Sequence, residues 1–218
     1  MAGYFCSVTI QQKTLKENDM GKIIAITQLS IDGVMQAPGG PDEDPSSDFK
    51  HGGWFMHYGD ALLHQVLGEI ISGDFEMILG RRTYDIFASY WPQHDDDPIG
   101  KAFNKARKYI ATRTLDELDW HNAQIVRDVV EEIGRLRASE GPDIHIWGSS
   151  NLLQTLISAG LVDEHRLWIA PVVLGGGKRL FENGVPAGAL SLVDTKVTST
   201  GMMINTYRPA GALPGEGA

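Results

Sequence analysis

Two short runs in this chain have the residue types and spacing to hold an anion. The first is Gly80-Arg81-Arg82-Thr83, within "EMILGRRTYDIF"; the second is Gly148-Ser149-Ser150-Asn151, within "IHIWGSSNLLQTL". In each, an apolar, strand-like segment reaches a glycine and passes at once into a helical pattern. A helix N-terminus leaves backbone N–H groups without intrahelical partners and carries partial positive charge. Hydroxyl groups and, in the first run, two guanidinium groups make such a terminus suited to phosphate. The plainer alternative is a pair of strand–helix turns in which Thr83, Ser149, Ser150 or Asn151 only caps a helix and the arginines are solvated. Neither run is a GxGxxG or a GxxxxGK[ST] motif, so each is weak alone. Two at the carboxyl ends of predicted parallel strands are stronger, because ligands of open α/β sheets gather on that edge. Leu152, which opens the second helix, joins the candidates.

Two further stretches belong to the same argument. "KYIATRT" ends a strand in Thr112-Arg113, where the arginine can pair with phosphate or stack on a base, or simply face water. "APVVLGGGKRLF" holds three consecutive glycines, which allow either a close backbone approach or a sharp turn.

Proton chemistry has fewer candidates. Asp32 in "SIDG" closes the first strand, and Asp60 follows Trp54 and His57. A carboxyl in a partly apolar pocket has its pKa raised and can relay a proton near neutral pH. Against this, Asp before Gly is a common turn pair and Asp60 can serve as a helix cap. His51, His57, His64 and His94 form no recognised metal-ligand set, HExxH is absent, and no metal is expected. There is no G-x-S-x-G either, so no nucleophile elbow is expected.

The elements that must position these groups follow from periodicity. Strands are expected at Ile23–Gln28, Glu76–Leu79, Lys108–Thr112, Gln124–Arg127, Ile144–Trp147 and Leu167–Leu174. Helices are expected from about Asp60, from Thr83, after the Asp97-Pro98 cap, over Val129–Leu136 and over Leu152–Ala159. Two β-rich pieces, Ser191–Val197 and Met202–Tyr207, lack an intervening helix and predict an antiparallel edge. The fold class is therefore α/β: one domain with a mixed, mostly parallel sheet flanked by helices. The glycine-, proline- and aspartate-rich segment over 33–53 is too long for an idle connection and is expected to shape a pocket.

Composition sets the outer limits. The 218 residues suffice for one sizeable core, and a net charge of −9 argues against broad nucleic-acid binding. Cys6 is the only cysteine, so no intrachain disulfide forms. No apolar run approaches the roughly 20 residues of a membrane span, and the first residues lack a signal-peptide layout. The cytoplasm is the expected location. Residues 1–19 read as an extension, of vector or upstream-start origin, before a domain over 20–208; residues 209–218 read as a flexible tail.

Taken in order, "IIAITQLSIDGVMQAPGG", "GRRTYDIFASYWP", "KYIATRTL" and "IWGSSNLLQTLISAGLVDEHRLWIAPVVLGGGKRLF" resemble the dihydrofolate reductase-like superfamily. The resemblance is closest to stand-alone relatives of the reductase domain of bifunctional riboflavin-biosynthesis proteins. It implies a reductase using NADPH. It also implies that the turn at Gly80-Arg81-Arg82-Thr83 holds the 2′-phosphate and pyrophosphate, that Thr112 and Arg113 lie near the adenine end, and that Gly148-Ser149-Ser150-Asn151 wraps the pyrophosphate. The family usually has Gly-Gly where this chain has Gly148-Ser149. Asp60 falls in the region of the folate reductases' carboxylate, Asp32 in the riboflavin-type "LDG" pattern. The insertion "APGGPDEDPSSDFKHGGW" sits where substrate enters and points away from folate. The expected function is NADPH-dependent hydride transfer to a small heterocyclic or carbonyl/imine substrate; the alternative is a catalytically silent nucleotide-binding or sensory module. Relatives commonly dimerise and the C-terminal strands leave an edge, so a homodimer is expected.

Overall fold

The computed structural model describes residues 20–182 and 184–215. The expected N-terminal extension with Cys6, and the last three residues of the expected tail, lie outside them. In chain order the elements are β1 (Ile23–Ser30), α1 (Ala61–Ile71), β2 (Phe75–Gly80), α2 (Arg81–Tyr90), α3 (Pro98–Lys105), β3 (Lys108–Ala111), β4 (Ala123–Val126), α4 (Val129–Arg137), β5 (Asp143–Trp147), α5 (Ser150–Ser158), β6 (Glu164–Ala170), β7 (Leu190–Val197) and β8 (Met203–Pro209).

The strands form one sheet in the order β4-β3-β2-β5-β1-β6-β8-β7. The first six run parallel, and β8 and β7 are antiparallel additions at one edge. β1 lies between β5 and β6 and is apolar without alternation over Ile23–Ile26, as a strand covered on both faces must be. Its side chains still divide by parity. Ile24 and Ile26 pack with Met77, Leu79 and Ile110 beneath α1, α2 and α3, while Ile23 and Ala25 pack with Ile78, Ile144 and Ile146 beneath α4 and α5.

Several boundaries differ from the sequence reading by a few residues, two of them for clear local reasons. The strand expected to reach Leu174 stops at Ala170, because Pro171 has no N–H for the ladder. The helix expected from Thr83 begins at Arg81, so both arginines belong to its first turn. Among the described residues, no helix is long and apolar enough to cross a membrane.

The long segment after β1 is held in place by one side chain. Gln36, 3 % exposed, donates from Nε2 to the carbonyls of Asp44 (3.0 Å) and Ser46 (2.9 Å) and accepts Lys178 N–H at Oε1 (3.0 Å). The last of the three glycines is equally committed. A Cβ on Gly177 would lie 2.7 Å from Val34 Cγ1 and 2.9 Å from Phe49 Cε2, so this position serves close packing against that segment, while those of Gly175 and Gly176 are open.

Candidate functional site

One cleft of about 1400 Å³ opens along the carboxyl ends of the parallel strands. Drug-sized ligands occupy pockets of about 300–1,000 Å³, so there is room for two ligands side by side. Every residue of the two anion-binding runs, with Thr112, Arg113 and Leu152, lines it. Four of the strands deliver their last residue to it: Gly80, Ala111, Val126 and Trp147. The two runs, far apart in sequence, thus share one rim.

They are also stapled together. The Gly80 N–H donates to Ser149 Oγ (2.9 Å), and the Ser149 hydroxyl donates to Thr83 Oγ1 (2.7 Å). Ser149 is left-handed (φ 66°, ψ 65°), a conformation that favours glycine, and Gly148 before it also has φ 61°. These two hydrogen bonds hold a non-glycine residue there. They also fix what Ser149 does: its hydroxyl joins the two turns to each other at the rim of the cleft.

The helix caps separate the five helices into two kinds. Asp60, Asp97 and Asp128 cap α1, α3 and α4 through side-chain hydrogen bonds. No side chain caps α2 or α5, whose first residues Arg81 and Ser150 line the cleft. The first intrahelical bond of α5 runs from Leu153 N–H to Ser149 C=O (2.9 Å), which leaves the N–H groups of Ser150, Asn151 and Leu152 without helical partners. Such termini accept an anion.

Cations gather at one end. Arg81 donates to Asp85 (2.8 Å) and Thr114 (2.9 Å), and Arg113 has no ion-pair partner among the described residues. Arg127 joins them, donating to the Thr112 carbonyl (3.1 Å) and to Asp116 (2.8 Å). It was missed in the sequence because it appears there only as the residue closing a strand. The Thr112 hydroxyl shapes the turn, accepting N–H groups of Thr114 and Leu115 at 3.2 Å each. Arg82 departs from expectation: it reaches across to Asp44 on the long segment, and Lys178 takes the other oxygen of that carboxylate. Burial opposes the charge of Asp44, but Lys178 and Ser46 outweigh it and bring its pKa to about 2.

Neither carboxylate expected to relay a proton lines the cleft. Asp32 accepts the Ser30 hydroxyl (2.6 Å) and the N–H groups of Leu174 (3.1 Å) and Gly175 (2.9 Å), tying β1 to the glycine turn. With Ser30 first among the causes, these bonds lower its pKa to about 2 against the effect of burial. Asp60 caps α1 at Leu63 N–H (2.9 Å) and accepts Ser199 N–H (2.8 Å), and these bonds lower its pKa as well. Both are held ionised by structural hydrogen bonds, the opposite of what a neutral-pH acid requires. Glu43 does line the cleft. Burial raises its pKa, against the N–H groups of Gly39 (2.6 Å) and Gly40 (3.1 Å), both bound to the same carboxyl oxygen.

Comparison with known proteins places this geometry. Residues 21–204 match the model of the RibD C-terminal domain family. The chain is 30% identical over 194 residues to the uncharacterised protein YyaP of Bacillus subtilis, covering 85% of this chain and 94% of that one. Its fold is similar to a putative riboflavin biosynthesis protein from Shewanella (TM-score 0.62, 19% identity, 88% of this chain and 99% of that one). It is also similar to the Enterococcus faecalis dihydrofolate reductase solved with NADP(H) (TM-score 0.56, 16% identity, 87% and 97%). A pyrimidine reductase-like protein from Corynebacterium diphtheriae has the same fold (TM-score 0.56, 14% identity, 88% and 93%).

Proposed function

Because the chain belongs to the RibD C-terminal domain family, we propose that it is an NADPH-dependent reductase, transferring hydride to a C=N or C=C bond of a small heterocyclic or carbonyl-like substrate. One observation carries this reading: the two helices without side-chain caps begin on the same cleft and are joined there by Ser149.

The residues present fit such a cofactor. A Cβ on Gly80 would lie 3.0 Å from Ser149 Oγ, so glycine keeps the two turns close. Arg81, Arg113 and Arg127 would hold the 2′-phosphate, and the N-terminal N–H groups of α2 and α5 the pyrophosphate. NADPH supplies the hydride when bound; the chain's own work is to place it and to exclude water. Arg82 serves here as the link to Asp44. Glu43 is positioned to hold a proton beside the substrate, a role for which the commitments of Asp32 and Asp60 leave them unsuited.

Steady loss of NADPH absorbance with one member of a panel of cyclic imines and conjugated carbonyls tests the proposal. A second reading, a silent nucleotide-binding module, draws on the structural commitment of Asp32 and Asp60. It predicts cofactor binding with no consumption anywhere in the panel.

A further inference from the structure

The cleft is divided by charge. Arg81, Arg113 and Arg127 gather at one end around the Thr112–Thr114 turn, while Asp42, Glu43 and Asp44 form a second group that lines the cleft from the segment after β1. The two cations at that second group, Arg82 and Lys178, both terminate on Asp44, whose side chain is only 8% exposed. An incoming anion would have to displace a fixed, nearly buried carboxylate from them and would meet Asp42 as well. Like charges repel, and most where a partner such as Asp44 is nearly buried.

Phe55, whose N–H donates to the Pro38 carbonyl (3.2 Å) just before that acidic stretch, begins an unbroken series of aromatic rings, all lining the cleft. Phe55 stacks on Trp168 (6.3 Å between centroids), and Trp168 meets Trp147 edge-on (6.3 Å). Trp147 contacts Phe103 (5.3 Å), which stacks on Phe87 (5.7 Å) and meets the edge of Trp91 (5.3 Å). The first four rings are buried and form the floor. Phe87 and Trp91 are half-buried, so part of each stays within reach of a ligand. Flat conjugated rings gain both area burial and favourable quadrupole contacts on such a surface.

We propose that this compartment takes a flat, uncharged, conjugated ring compound seated against Phe87 and Trp91, and that it rejects the anionic analogue of the same ring. The assignment rests on the reductase reading only in giving the arginine end to the cofactor; the ring surface and the charge partition stand without it. It sets the substrate apart from compounds carrying a phosphate or carboxylate at the reacting end.

Calorimetric titration of the full chain with coumarin and with coumarin-3-carboxylate, each with and without NADP+, tests this. Coumarin is expected to bind at least about tenfold more tightly, a difference of about 1.4 kcal/mol. Trp91→Ala is expected to weaken coumarin by about fivefold or more, and Asp44→Asn, which releases Arg82 and Lys178, to narrow the gap between the two probes. Equal or tighter binding of the carboxylate, no coumarin binding, or coumarin binding indifferent to Trp91→Ala overturns the proposal. The comparison on the unaltered chain needs no variant to fold. Coumarin preference without any NADP+ binding would remove the reductase reading and leave this one standing; NADP+ binding without the preference would do the reverse.

Discussion

Asp32 and Asp44 show how a carboxylate beside a cleft can be structural. Each has its folded pKa lowered to about 2 from 3.8 by hydrogen-bond donors. The unfolded chain therefore binds their protons first as pH falls, so the stability they confer is complete above about pH 4 and is lost between about pH 4 and 2. For the nearly buried Asp44 the shift corresponds to about 2 kcal/mol. Urea unfolding at pH 5 and pH 3 should show the decline, and Asp44→Asn should flatten it; an unchanged slope in that variant would contradict the assignment. Asp32→Asn is expected to cost about 1–3 kcal/mol, through weakened hydrogen bonds at the glycine turn, while leaving NADPH affinity within about twofold. A large loss of affinity at unchanged stability would return Asp32 to the cleft.

At the scale of elements, the central device is the meeting of β2–α2 with β5–α5. Ser149→Ala removes both staple bonds and keeps an unfavourable left-handed residue, whereas Ser149→Gly removes the bonds but relieves the backbone. NADPH affinity should fall about tenfold in the first and less in the second, as read by fluorescence titration. Equal affinity in both variants and the parent would show that the staple does not organise the site. The strand–helix junctions themselves were legible in the sequence, because a glycine between an apolar run and a helical pattern is a local signal. So were the caps at Asp60 and Asp97 and the antiparallel edge. The Ser149–Gly80–Thr83 staple was not, since it depends on β2 and β5 lying side by side. Arg82 read as a phosphate ligand for the same reason: its partner Asp44 lies on a segment whose path depends on the buried amide of Gln36. Asp32 and Asp60 looked chemical because sequence displays a carboxyl group but not the N–H groups that occupy it. The aromatic surface was equally hidden, drawn from α2 and the turn after it, α3, β5, β6 and the segment before α1.

For the whole molecule, the parallel order of six strands carries all the anion-binding turns to one edge, and the antiparallel pair closes the far side of the sheet. β7 is exposed throughout, with Leu192 at 54% and Val197 at 65%. An edge strand bearing exposed apolar side chains calls for a partner. We expect a homodimer through this edge. Light scattering after size exclusion should report twice the chain mass, and Leu192→Lys should lower it; a monomer at high concentration would reject the assembly. The account as a whole stands on the arginine end of the cleft receiving a phosphorylated dinucleotide. Fluorescence titration with NADPH and NADH, on the parent chain and on Arg81→Ala, tests that most directly. The expected result is micromolar NADPH binding, weaker NADH binding, and a loss of about tenfold for NADPH alone in the variant. No NADPH binding at millimolar concentration, or an Arg81→Ala chain that binds it as well as the parent, would contradict it.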